Sequence, residues 1–508
     1  MSSKIKPRGQ QAGLAGFSAF MQQRRGMAIG VFLLAALLYG QFGFNGKLVR
    51  DDAIWLYGGQ QMAQGTAPYV SIFDFKSPLA PMTAGLAAWT AKQVKADDIF
   101  FVRGLFFLIS CAAAAALFCW AHGLFRSRGL AALTTIIFMC FWGFARHAGS
   151  GPQAKSLMVL MQIMALYFGA GHQWFLSGLF GSLAAWSWQP AIIFPAFTLA
   201  AAMLQPDRYR ALVRSASGIL APSVLIVGYF FSQGAFASLW QGAVLFNLQQ
   251  LHRGAPLAQH LKAMAYTLAD AFPGWIYVIA WGNLAMPFVY RWRYRQNHCS
   301  WRAMIQNDPW AGLLLTWPIP FLWSVRDFQG YDDFFIFLPS AAISIAALFY
   351  ALVNTVEKAV PASRRYRTAC LVLVGSLLAV QAALFYHHKK MQIGSYLDQQ
   401  KSWVQEIQAR YLHGGELMSI GTPELMVLTH QRNSHRYLYI VEGIDSLIDA
   451  ETAGGFEGWL ERIGSTAPAV IGFRYAPGRF MDRLQEWLRL RYQETRVGDW
   501  TLYVRNGS

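Results

Sequence analysis

Between Met27 and about His388 the chain repeats one pattern, an apolar run of membrane-spanning length followed by a polar loop. Runs of about 18 or more apolar residues with few charges can cross the hydrocarbon core of a bilayer as helices. A helix suits that setting because every backbone N–H and C=O finds its partner inside the segment. The runs fall near residues 27–44, 98–125, 129–146, 154–170, 172–188, 189–204, 214–233, 272–290, 309–324, 335–353 and 367–388. Charged residues are 14% of the chain, against about 25% in ordinary soluble proteins. After Met391 charges become frequent and no long apolar run follows. The expected fold class is a polytopic α-helical membrane protein of about eleven transmembrane helices with a C-terminal soluble α/β domain. A tail at 1–26 precedes a membrane domain at 27–390, and the soluble domain occupies 391–508.

A net charge of +17 raises the question of a nucleic-acid partner, but its placement answers it. The basic residues gather in short stretches between apolar runs, at Lys4, Lys6, Arg8, Arg24 and Arg25 and again at Arg126 and Arg128. Further groups are Arg208, Arg210 and Arg214, then Arg291, Arg293, Arg295 and Arg302, then Lys358, Arg364, Arg365 and Arg367. With the tail inside, every group falls on the cytoplasmic side, as the positive-inside rule requires. This excludes nucleic acid and puts 391–508 on the outer side. The five cysteines lie in apolar runs or in a basic loop and give no disulfide framework to read. The first run follows basic residues but lacks a small-residue cleavage site, so it reads as a retained span.

The apolar stretch Pro78 to Ala91 is about fourteen residues long, a length that suits an interfacial or re-entrant segment. Crossing the bilayer there would reverse the side of every later basic loop. It therefore belongs at the outer surface, inside a long outer loop at 45–97. A second long outer loop, 234–271, carries Leu239, Trp240, Val244, Leu245 and Leu248 at helical spacing, as an amphipathic interfacial helix does. In the soluble domain, Leu417–Ile420, Tyr437–Val441 and Ala469–Phe473 read as strands. Helical patterns run near 455–463 and 478–490, and Thr495–Val504 reads as a hairpin around Gly498-Asp499. Thr422 is a candidate N-cap, with Pro423 at the first helical position.

The most informative stretch is Arg50-Asp51-Asp52-Ala53-Ile54-Trp55-Leu56-Tyr57, followed by Gly65-x-x-Pro68-Tyr69-x-x-x-Phe73-Asp74-Phe75-Lys76-Ser77-Pro78-Leu79. Two adjacent carboxylates past the first span, a turn, and Asp-x-Lys-x-Pro-Leu form one ordered pattern. It resembles the first outer loop of the GT-C glycosyltransferases, and in particular the protein O-mannosyltransferases and the bacterial aminoarabinose and galacturonic acid transferases. Arg326-Asp327-Phe328-Gln329-Gly330-Tyr331 with Phe337-Leu338-Pro339 is similar to a late outer loop of that family. Gly421-Thr422-Pro423-Glu424-Leu425 through Leu428-Thr429-His430-Gln431-Arg432 is similar to the opening of its soluble domain. Two departures stand out. Ser77-Pro78 follows Lys76 where relatives usually have Pro-Pro or Gly-Pro. The loop after the third span, Arg146-His147-Ala148-Gly149-Ser150-Gly151-Pro152-Gln153, lacks the acid that the family often has there, which leaves dependence on a divalent metal open.

The resemblance implies an integral membrane glycosyltransferase of a bacterial cytoplasmic (inner) membrane, with its active site and C-terminal domain on the outer, periplasmic side. It implies a polyprenyl-phosphate-linked sugar as donor and a glycan, lipid or protein acceptor, with inversion at the anomeric carbon. The residue types suit that chemistry independently. An acceptor hydroxyl needs a base, for which Asp51 and Asp52 are the candidates. A leaving phosphate needs positive charge, for which Lys76, Arg326, Arg146 and His147 are the candidates. Tyr69, Asp74 and Tyr331 are the expected substrate-binding loop residues.

Each residue also has a structural reading. Asp51 and Asp52 suit the first turn of a helix facing its dipole, and Lys76 suits an interfacial lysine. Arg146 and Arg326 suit span ends, Asp332-Asp333 reads as a solvated pair capping the next span, and His252-Arg253 as plain surface. The alternative function is a transporter or flippase for lipid-linked glycans. Transporters commonly show internal repeats and charges at mid-membrane, whereas most charges here sit at span ends. The topology itself is testable with cysteines introduced after Met391. They should react with an impermeant thiol reagent in intact cells, and labelling only after permeabilisation would overturn the arrangement.

Overall fold

The computed structural model describes residues 26–250, 257–272, 282–284, 305–306, 308, 310–359, 380, 396–441 and 443–505. Among them, three segments are long and apolar enough to cross a membrane: Asp98–Phe125 (α4), Arg208–Ser232 and Tyr331–Ala351. Arg128–Met139 and Trp142–Ala148 make a fourth only as a pair bent by 74°. Gly26–Gly40, Ala154–Ala170 (α7) and Gln189–Met203 are apolar but shorter. The runs expected at 272–290 and 367–388 lie largely outside the described residues, as do His252 and Arg253. The run expected at 309–324 is divided into Ala311–Thr316 and Pro318–Arg326. Pro318 has no N–H for the helical ladder, so the first helix cannot continue through it with full bonding.

The loop 45–97 is built on a hairpin of two helices, Arg50–Ala63 (α2) and Leu79–Val94 (α3). The segment 78–91 is thus helical, and it turns Leu86, Trp89 and Val94 outward while Ala84, Ala87, Ala88 and Ala91 are buried. Close approach is possible because Gly59 meets α3: a Cβ on Gly59 would stand 2.8 Å from the backbone of Ala84. The connection between the helices turns at Gly65, with φ +93°, and at Tyr69, with φ +67°. A tyrosine is rare in that left-handed region. Here its ring is buried edge-on to Phe230, with centroids 5.6 Å apart. The amphipathic stretch 234–271 forms helices at 236–250 and Leu257–Ala271. Leu239 faces inward while Trp240, Leu245 and Leu248 are exposed.

The C-terminal unit holds a four-stranded sheet ordered β1-β2-β4-β3, with β1 Leu417–Ile420, β2 Val470–Phe473, β3 Tyr492–Val497 and β4 Trp500–Arg505. β1 and β2 are parallel, so the chain crosses between them through helices Pro423–Thr429, Ile444–Glu451 and Gly455–Thr466. β3 and β4 form the hairpin expected around Gly498, whose φ is +55°. The expected strand Tyr437–Val441 is irregular instead. Its apolar residues are buried as a strand's would be, but its Leu438 carbonyl accepts from Gly421 N and from Ser419 Oγ rather than from a ladder. Thr422 precedes Pro423 as expected but makes no capping bond. Its N–H is taken by Ser419 Oγ at 3.1 Å, and its hydroxyl lies 3.3 Å from the same atom.

This unit is seated on the loop 45–97 and the helices beside it. Gln400 exchanges two hydrogen bonds with the backbone of Leu48, at 2.8 and 3.0 Å. Lys47 pairs with Asp499, Tyr57 OH accepts from Asn433 N at 3.0 Å, and His430 reaches Asp98 at 3.1 Å. The α2–α3 contact should be intolerant of volume. Gly59→Leu should lower the thermal unfolding temperature of the purified protein, by the about 1–3 kcal/mol that overpacking typically costs. An unchanged unfolding temperature would show that the hairpin has slack at this point.

Candidate functional site

Asp51 and Asp52 occupy the first turn of α2, where the helix dipole favours negative charge. Consecutive helical residues point about 100° apart, so the two carboxylates enter different surroundings. The Asp51 side chain is 50% exposed, and its Oδ1 accepts from Lys76 Nζ at 3.3 Å. The Lys76 ammonium beside it holds the Asp51 carboxyl below the usual carboxylate range, with Arg50 adding to the effect. Asp52 is 1% exposed and its Oδ1 has no hydrogen-bond partner. Burial pushes its carboxyl well above the usual range, against the field of Arg103. Arg103 itself, buried in α4, donates from Nη1 to the carbonyls of Phe44 and Gly46.

Lys76 is placed by the loop 64–78, whose backbone is held from several sides. Asp74 accepts from Lys76 N at 3.2 Å and from Tyr439 OH at 2.9 Å. Tyr69 OH donates to the Lys76 carbonyl. The Phe75 carbonyl accepts from Gln189 Nε2 at 2.9 Å and Asn247 Nδ2 at 2.7 Å. Phe73 N donates to the Arg436 carbonyl at 2.6 Å. The Lys76 ammonium stands 5.2 Å from the ring centre of Trp55 and 5.6 Å from those of Phe75 and Tyr439. Tyr69 and Asp74 are therefore buried and hold the loop, and burial pushes the Asp74 carboxyl upward.

A second charged group faces the first. Lys155, at the head of α7, lies 2.8 Å from Asp332 Oδ2 and also pairs with Asp333. Asp333 is 1% exposed and accepts from Gln329 N at 2.8 Å. The expected solvated pair is thus a buried ion cluster, because a lysine from a distant run supplies the countercharge. Asp332 acts electrostatically on Asp51, Asp52 and His147. The 74° bend after Met139 carries Arg146 and His147 toward this cluster. His147 Nε2 is 2.5 Å from Tyr331 OH, and the Arg146 guanidinium lies 5.2 Å from the Trp142 ring centre. Arg326 is exposed and joins the set along the chain, through the turn 327–330 that leads to Tyr331 and Asp332.

The arrangement joins one accessible carboxylate, one aromatic-lined lysine and further charges at the ends of the apolar helices. It can accept a proton and hold an anion side by side. Lys155 and Arg103 did not emerge from motif reading, although each is a charge at or inside an apolar run and so costly to leave without a role. Among the described residues no group of three or more His, Cys, Asp or Glu is arranged to hold a metal ion.

No protein-family model and no curated protein matches the sequence. Solved structures do match. ArnT from Cupriavidus metallidurans, bound to undecaprenyl phosphate, aligns over 95% of this chain and 98% of its own with a TM-score of 0.58 and 11% identity. The archaeal oligosaccharyltransferase AglB from Archaeoglobus fulgidus, in complex with an inhibitory peptide and a dolichol-phosphate, aligns over 95% of this chain and 74% of its own, with a TM-score of 0.54 and 11% identity. An Archaeoglobus fulgidus oligosaccharyltransferase in complex with Zn and sulfate gives a TM-score of 0.52 at 12% identity, over 87% of this chain and 67% of its own. Identities this low speak for architecture alone: the chain shares the fold of ArnT and of the archaeal oligosaccharyltransferase AglB, as the resemblance of its first long loop implies.

Proposed function

We propose that this protein is a membrane glycosyltransferase that moves a sugar from a polyprenyl-phosphate donor to a glycan, lipid or protein acceptor. The observation that carries the reading is the Asp51–Lys76 pair at 3.3 Å, set in the first outer loop of a fold whose neighbours were solved with undecaprenyl phosphate and dolichol-phosphate. The reading places the membrane domain at 27–390, in a bacterial cytoplasmic membrane, with 391–508 on the outer side.

In the proposed step the acceptor oxygen attacks the anomeric carbon and its proton passes to the Asp51 carboxylate. The bond from that carbon to the phosphate oxygen breaks, and its electron pair leaves with the polyprenyl phosphate. A single displacement inverts the anomeric centre. Lys76 has three donors, so it can keep its bond to Asp51 while holding a phosphate oxygen. Arg146, His147 and Arg326 add positive charge or hydrogen-bond donors toward the leaving group, and Tyr331 orients His147. Asp52, desolvated, positions the start of α2 rather than taking the proton. Tyr69 and Asp74 hold Lys76 in place.

Single-turnover transfer with purified protein in detergent tests the assignment. Asp51→Asn should lower the rate about 10²-fold or more with folding intact. Lys76→Ala should weaken donor binding by about one to two decades, the equivalent of a lost charged hydrogen bond of about 1.5–3 kcal/mol. Lys76 also lowers the Asp51 carboxyl, so its removal raises that value, and the acid limb of the rate profile should move to higher pH. Normal transfer in Asp51→Asn would remove the base from the scheme. Binding without chemistry in the wild type would favour a transporter of the same carrier.

A further inference from the structure

The C-terminal unit contains a cavity of about 350 Å³. Its walls come from the irregular segment 434–437, the end of helix Ile444–Glu451 and one face of helix Gly455–Thr466. A volume of this order falls in the range of small-molecule sites, about 300–1,000 Å³.

Its lining is of two kinds. His435, Trp459 and Tyr437 form an aromatic wall, with the His435 and Trp459 rings edge to face at 5.5 Å and the Tyr437 and Trp459 rings at 6.5 Å. Arg436 and Glu451 form a planar polar wall, paired at 2.8 Å, with Tyr437 OH donating to the same Glu451 oxygen at 3.2 Å. Both charged side chains keep about a quarter of their surface exposed, 27% and 28%. Both ring nitrogens of His435 and the indole N–H of Trp459 are buried in the wall without a hydrogen-bond partner. Buried polar groups ordinarily have partners, and orphans call for an explanation. Burial pulls the His435 imidazole down to about 4, so at neutral pH it offers one donor and one acceptor.

From the cavity's size, its aromatic wall and its paired polar wall, we propose that it binds a neutral sugar unit. A pyranose presents an apolar C–H face for the aromatic wall and a rim of hydroxyls that donate and accept. Arg436 already carries Glu451 as its counterion, and the lining's other cation, Arg462, is exposed on helix Gly455–Thr466. Glu451 is the single acid in the lining, which does not suit a metal. The pocket is also joined to the reaction site. Arg436 donates to Gln241 Oε1 at 3.3 Å, and its carbonyl accepts from Phe73 N, three residues before Lys76. On the transferase reading, on which this second half rests, the bound sugar belongs to the acceptor glycan, held beside the loop that carries the phosphate-binding lysine.

The test is saturation-transfer NMR on the full-length protein, in a detergent without a sugar headgroup. The probes are neutral trisaccharides built from glucose, galactose, mannose or N-acetylglucosamine. At least one should receive saturation from the wild type. Thr452→Trp, which fills the cavity from its wall, should reduce the signal at least ten-fold. Glu451→Gln should weaken binding about ten-fold, as expected for one hydrogen bond to a charged group. Thermal unfolding of both variants checks that they fold. Asp51→Asn should bind as the wild type does, so failure of the base assignment leaves the pocket standing. Absence of any trisaccharide signal, or equal signals from the wild type and a folded Thr452→Trp, would overturn the sugar pocket without touching the transferase reading.

Discussion

The loop 64–78 has almost no regular structure of its own, so its backbone polar groups must find partners elsewhere or bear the cost of burial without them. They find them in three separate parts of the chain. Gln189 reaches the Phe75 carbonyl from the start of an apolar helix, and Asn247 reaches it from the second outer loop. The C-terminal unit supplies the Arg436 carbonyl and, through Tyr439, the support of Asp74. Lys76 stands where these bonds converge. Moving any of the three parts moves the lysine, so the apolar helices and the C-terminal unit together determine one side-chain position.

Charge at the ends of the apolar helices is arranged in pairs and clusters. An isolated charge taken from water costs several kcal/mol, roughly, and partners recover part of that cost. Lys155 sits between Asp332 and Asp333, Lys76 against Asp51, and Arg103 against two backbone carbonyls within the field of Asp52. The adjacent carboxylates of α2 show how one helical step divides chemistry: Asp51 is accessible, paired and held in its charged form, while Asp52 is enclosed and held toward its neutral form. A proton acceptor needs the first environment. A helix start fixed against its neighbours tolerates the second.

The outer unit contributes more than support. Its segment 433–439 touches α2 through Asn433 and Tyr57, the lysine loop through Arg436 and Tyr439, and a sugar-sized cavity through His435 and Tyr437. An extended strand here would send successive side chains to opposite faces of a sheet. The irregular path directs them to three different surfaces, which accounts for the loss of the strand expected at Tyr437–Val441.

The sequence by itself determined the apolar helices, the short apolar segment at 78–91, the C-terminal α/β unit with its terminal β-hairpin, and the motif that carries Asp51 and Lys76. Each of these is written locally, in apolar run length, in turn residues, or in an ordered motif within thirty or so positions. Only the tertiary structure decided that Asp333 is buried and Asp332 partly buried against Lys155, that Thr422 bonds Ser419 instead of capping its helix, and that Tyr69 and Asp74, expected as substrate-binding residues, are buried and hold the loop. It also separated Asp51 from Asp52, which sequence treats alike. The physical reason is the same in every case. Periodicity and composition report what a segment prefers, whereas burial, ion pairing and hydrogen-bond satisfaction depend on partners such as Lys155 and Asp332, separated by 177 positions along the chain.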